Sequence, residues 1–119
     1  MGQAVAFFEV VSAAYERAQA FYSELFGWQI SADPAAGGYG LVDTGAGEDA
    51  IGGGIGPLDG VGGGGVRVYV KVDDLDVCLQ RAEALGGKRL VPPTDLSGDF
   101  GRYAIFADPD GNPIGLWAN

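Results

Sequence analysis

Apolar and polar positions alternate most cleanly over residues 66–72, where Val66, Val68, Val70 and Val72 share one parity and Arg67, Tyr69 and Lys71 the other. Successive side chains on a strand point to opposite faces, so this parity predicts a strand with one face for a core and one carrying polar and aromatic groups. Residues 4–11 form an apolar, β-branched and aromatic run broken only by Glu9, and read as a first strand. Beyond Ser12, expected to cap a helix, Ala14, Ala18, Phe21, Tyr22 and Leu25 recur at three- and four-residue spacing as far as Gly27, which predicts an amphipathic helix with that stripe against a core. Short strands follow at 28–31, 39–42 and 50–55. After residues 66–72, Asp73 or Asp74 is placed to cap a second helix with Leu75, Cys78, Leu79, Ala82 and Leu85 on its apolar face and Gly86-Gly87 at its end. Residues 88–91 make a strand that Pro92-Pro93 is expected to close. Residues 52–65 hold nine glycines in fourteen positions; no helix follows directly, as a phosphate-cradling loop would require, and the run reads as a flexible connector.

The order strand, helix, three strands is thus repeated about sixty residues later, which suggests two copies of one βαβββ unit, residues 1–58 and 66–119, joined by the glycine-rich linker in a single domain. The chain closes on two apolar runs flanking Asp108-Pro109-Asp110-Gly111, a β-hairpin signal. This hairpin, continued through Asn112 to Trp117, together with Phe21-Tyr22-x-x-Leu25-Phe26-Gly27-Trp28, resembles the glyoxalase/bleomycin-resistance/dioxygenase (vicinal oxygen chelate) superfamily. The resemblance covers nearly the whole chain. It implies an α+β fold in which paired βαβββ modules curl a mostly antiparallel sheet around a cavity, with helices outside, and it implies a homodimer.

Composition narrows the functional classes. A net charge of −9 with only seven basic residues disfavours nucleic acid, which selects a basic face. No apolar run approaches the ~20 residues of a membrane helix, nothing resembles an export signal, and the single Cys78 permits no internal disulfide; a cytoplasmic location is the expectation. Cys78 belongs to the apolar stripe of the second helix and, with no histidine in the chain to activate it, reads as a small core residue.

Parity assigns the candidate ligand-binding face: Phe7 and Glu9 on the first strand, Arg67, Tyr69 and Lys71 on the fifth, Trp117 on the last. By the resemblance, the superfamily's metal-ligand positions fall here on Phe7, Arg67 and Gly115, none of which can ligate a cation, so neither metal nor other cofactor is expected. The leading expectation is a metal-independent small-molecule-binding protein of the glyoxalase/bleomycin-resistance type, for drug or metabolite binding. A lyase or isomerase with Glu9 as catalytic base and Arg67 stabilising an oxyanion stays open, as does a protein-association module. Buried charges need partners, and Glu9 can neutralise only one of Arg67 and Lys71, which points to an aromatic ligand carrying an anion. The competing arrangement has Lys71 reaching water along apolar surface while Arg67 pairs with Glu9, which leaves the pocket electrically balanced with no preference for anions.

Overall fold

The computed structural model describes residues 2–119. Its elements are β1 (Val5–Val11), α1 (Tyr15–Phe26), β2 (Gln29–Asp33), a 3-10 turn (Pro34–Ala36), β3 (Tyr39–Asp43), β4 (Gly52–Gly56), β5 (Gly65–Lys71), α2 (Leu75–Ala84), β6 (Lys88–Asp95), β7 (Arg102–Ala107) and β8 (Pro113–Ala118). Eight strands in a mixed sheet with two α-helices make the fold α+β. The chain divides into two compact units, Phe7–Val66 and Arg67–Asn119, the latter joined by the segment up to Ala6.

Each unit uses the same strand order. In the first it is β2-β3-β4-β1, with β1 parallel to β4 and the other pairs antiparallel. In the second it is β6-β7-β8-β5, with β5 parallel to β8 and the others again antiparallel. The βαβββ repeat read from the sequence therefore has a topological counterpart.

The second unit is built around α2. Asp74 caps that helix, its carboxylate accepting the Val77 N–H at 3.1 Å. The helix lays Leu75 and Leu79 on Val72, Ala104, Leu116 and Ala118, with Val70, Cys78 and Phe106 packed against the cluster. Val70 and Val72 thus take the core face that their parity predicts, whereas Val66, at the start of β5, is 72% exposed. Cys78 is half-buried, and that burial pushes its thiol pKa up, leaving less of the reactive thiolate.

Three expectations are corrected. Residues 52–56 are no connector: Gly53, Gly54, Ile55 and Gly56 are buried within β4, and only the remainder of the glycine run lies between strands. Pro92-Pro93 does not close β6, which continues to Asp95 with two register shifts; it stands at the end of the strand order, where missing N–H donors are tolerated. Ser12 does not cap α1, whose N-cap is Ala14 without a side-chain cap; the Ser12 hydroxyl instead accepts the Ala14 N–H at 3.2 Å.

The hairpin turn between β7 and β8 forms as its sequence predicts. Gly111 donates to the Asp108 carbonyl at 2.9 Å and adopts φ +89°, which glycine alone takes without strain. The Asp108 carboxylate accepts the Asp110 and Asn112 backbone N–H groups, each at 2.9 Å, and the Asn112 side-chain amide at 3.0 Å. The amide first, then these backbone donors, hold the Asp108 carboxyl below the usual aspartate range. A depressed folded-state pKa contributes stability above the unfolded value, about 4, and that contribution is lost as pH falls through the folded value. Asp108→Asn is therefore expected to be modestly less stable than wild type in urea at about pH 7, the gap closing as pH falls below the unfolded value and through the lower folded one. A gap unchanged in acid would mean that the charge of Asp108 contributes nothing to the turn.

Candidate functional site

In the first unit the register fixes which groups meet. Phe8 and Val10 pair with Gly53 and Ile55 and face α1, with the Phe8 ring 5.3 Å from that of Trp28, so Phe7, Glu9, Gly54 and Gly56 lie on the opposite face. A Cβ on Gly54 would run into the ring and hydroxyl of Tyr39, and one on Gly56 into the same ring. Tyr39 therefore lies flat along glycines 56 and 54, in the manner of an aromatic ring covering a strand glycine. From there its hydroxyl donates to Glu9 Oε2 at 2.6 Å. Glu9 is buried, and a buried carboxylate is tolerated only when such donors replace water.

The second unit repeats the device. Tyr69 pairs directly with Gly115, and a Cβ on Gly115 would collide with its ring. Tyr69 is buried, with the Tyr103 ring 6.5 Å away at 60°. Arg67, buried, and Lys71 share the parity of Tyr69 on β5. The Lys71 ammonium stands 5.3 Å from the centroid of the Trp117 ring, whose indole N–H donates to the Phe100 carbonyl at 2.7 Å. Lys71 is exposed, so its charge keeps contact with water while using the ring face, as in the arrangement that gives it a solvated head.

The candidate residues thus form two groups, each within its own unit: Phe7 and Glu9 in the first, Arg67, Tyr69, Lys71 and Trp117 in the second. Tyr39, Tyr103 and the β4 glycines beneath Tyr39 are not among the residues that the sequence singles out for the site. The available signal was period two: Gly52, Gly54 and Gly56 clear one face of β4, and a strand that gives up side chains at alternate positions makes room for a neighbour's ring.

The residues do not fit a divalent cation. Phe7 has no donor atom, Arg67 is permanently cationic, and the space a longer side chain would need at Gly115 is filled by Tyr69. Among the described residues no group of three or more His, Cys, Asp or Glu side chains could hold a metal ion.

A family model described as Glyoxalase-like domain matches residues 7–117. Among curated proteins, the chain is 32% identical over 104 residues to CFP32 of Mycobacterium tuberculosis, provisionally named a glyoxylase, covering 84% of this chain and 40% of that protein. It is 33% identical to the anthracycline biosynthesis protein DnrV of Streptomyces peucetius, covering 96% of this chain and 46% of the relative. The chain thus spans less than half the length of either relative. A solved glyoxalase/bleomycin resistance protein/dioxygenase superfamily member from Vibrio splendidus superposes with a TM-score of 0.64 at 17% identity, covering 99% of this chain and 100% of that one; at that identity the likeness concerns the fold alone.

Proposed function

The chain belongs to the glyoxalase-like domain family, and from that premise we propose that it binds a flat aromatic small molecule carrying an anionic group, without a metal ion or other cofactor. The observation that carries the reading is the exchange at Gly115: the place of a potential ligating side chain is taken by the Tyr69 ring. Both units present tyrosine on glycine, and polar groups are few and fixed, as in ligand sites generally. The anthracycline biosynthesis name of DnrV supports the choice of aromatic probes. With the Lys71 charge in water, the anion preference rests on Arg67 alone, a buried guanidinium whose planar fork can make two parallel hydrogen bonds to a carboxylate. The reading includes a cytoplasmic homodimer; among the described residues no helix is long and apolar enough to cross a membrane.

The test compares matched aromatic carboxylic acids and their amides by calorimetry. Wild type is expected to favour the acid by at least about tenfold, and Arg67→Met to abolish that preference, since a hydrogen bond to a charged group contributes about 1.5–3 kcal/mol. Equal affinity for acid and amide, or an unchanged preference in the variant, overturns the anion site. Elemental analysis after dialysis is expected to find well under one equivalent of zinc, iron, nickel or manganese; a full equivalent overturns the metal-independent reading.

The Tyr39–Glu9 hydrogen bond favours a second reading, a lyase or isomerase in which Glu9 is the base and Tyr39 positions it. Under that reading Glu9→Gln abolishes turnover while binding of the same acid persists. Turnover that survives the substitution excludes Glu9 as the base.

A further inference from the structure

Only part of the apolar stripe of α1 lies where its spacing predicts: Ala14, Ala18 and Tyr22 are half-buried, whereas Phe21 and Leu25 turn outward. No residue of the helix is buried, and Phe21 and Leu25 are each 57% exposed. Toward the sheet the helix presents Gln19, whose side-chain amide donates to the Gly38 carbonyl at 3.0 Å and the Ile55 carbonyl at 2.8 Å. A side chain on Gly40 would strike this same amide, so the sheet is shaped to receive a glutamine. Tyr22 and Phe26 stack at 6.1 Å and both lie against Trp28, which meets Phe8. Phe21 touches only the edge of that stack, at 5.2 Å from Tyr22. Phe21 and Leu25, one turn apart, therefore form an outward stripe, and contiguous exposed apolar surface of this kind marks interaction sites.

The charges beside the stripe say what it fits. At 100° per residue Arg17, Phe21, Glu24 and Leu25 share one face, with Arg17 about 6 Å before Phe21 along the axis and Glu24 about 4.5 Å beyond it. Laid antiparallel on a copy of itself about a two-fold axis near Phe21, the helix sets each Arg17 against the other's Glu24, and each Leu25 over the small side chain of the other's Ala18. The face is complementary to itself in charge and shape, as an isologous contact requires. It carries one cation and one anion in a chain of net charge −9, which makes it a patch where two copies approach without net local repulsion.

We propose that the exposed stripe of α1, centred on Phe21 and Leu25, pairs with the same stripe of a second copy of this chain. The inference rests on the homodimer included above and names its contact. One helix face is small beside a standard interface, so association is weak and depends on concentration.

Sedimentation velocity of wild type over a range of about 1–200 μM is expected to move toward twice the 12.2 kDa chain mass. Phe21→Glu and, separately, Leu25→Glu are expected to weaken association at least about tenfold with unchanged circular dichroism and melting, because both side chains are exposed in the monomer. Arg17→Glu alone weakens it, whereas Arg17→Glu combined with Glu24→Arg restores it to within about threefold. A monomer across the whole range overturns both the homodimer and this contact. A dimer that ignores Phe21→Glu and Leu25→Glu leaves the homodimer standing and overturns the α1 contact, as does failure of the charge exchange to restore association. Anion binding measured on the monomeric variant tests the ligand reading separately.

Discussion

Gly54→Val is expected to lower the unfolding free energy by at least about 3 kcal/mol in urea titration, among the largest effects of any single substitution in the first unit. A Cβ at this position falls inside the Tyr39 ring and hydroxyl, and the position is buried on β4, paired with Glu9 on one side and Leu41 on the other. Neither strand can give way without breaking ladder hydrogen bonds, so the tyrosine must swing off the sheet. It then withdraws its hydroxyl from a buried carboxylate, so a charge-assisted hydrogen bond is lost on top of the overpacking, and each of these effects costs about 1–3 kcal/mol. The two effects are coupled, and the milder Gly54→Ala exposes the coupling. Combined with Tyr39→Ala, which removes the ring, Gly54→Ala should cost at least about 1 kcal/mol less than in the wild-type background. Additive costs would show that the ring and the missing Cβ do not compete for the same space.

Leu79→Ala should destabilise by about 3 kcal/mol and lower the melting temperature by roughly 10 °C. Leu79 is 0% exposed and lies in a cluster made by one helix, two strands of the sheet and the segment between β5 and α2, so the space it leaves cannot be filled by movement of a single element. Leu85→Ala, just past the same helix, is the matched comparison. Leu85 continues the three- and four-residue spacing of the stripe but is 65% exposed, and its truncation should stay within about 0.5 kcal/mol of wild type. Differential scanning calorimetry of the two variants decides; a cost below about 1 kcal/mol for Leu79→Ala would mean that the cluster is not the core of its unit.

The Leu79 and Leu85 pair marks the limit of periodicity as a guide. Spacing placed both on the apolar face of α2, and only packing separated them: Leu79 lies inside the helix and in the core, whereas Leu85 is its exposed C-cap residue. The same limit shows in α1: Phe21 and Leu25 obey the helical period, yet the helix is anchored by Gln19 reaching two backbone carbonyls. The side-chain stripe and the docking face differ by a rotation that no local pattern records. The β4 glycines belong both to a strand at 50–55 and to a run whose composition signals flexibility, and their meaning depends on the Tyr39 ring of the neighbouring strand.

By itself the sequence determined what depends on near neighbours along the chain: the β5 parity that sends Val70 and Val72 to one face and Arg67, Tyr69 and Lys71 to the other, the Asp74 cap, the Asp108 turn, the order of elements and their repetition. The absence of histidine is likewise legible in the sequence, and it motivates the proposal of metal-independent binding. Tertiary structure alone decided which residues fill the space those choices leave. Tyr39 reaches Glu9, and Tyr69 occupies the room above Gly115, because strand register brings together residues dozens of positions apart, and register is set by the sum of packing across the sheet rather than by any segment within it.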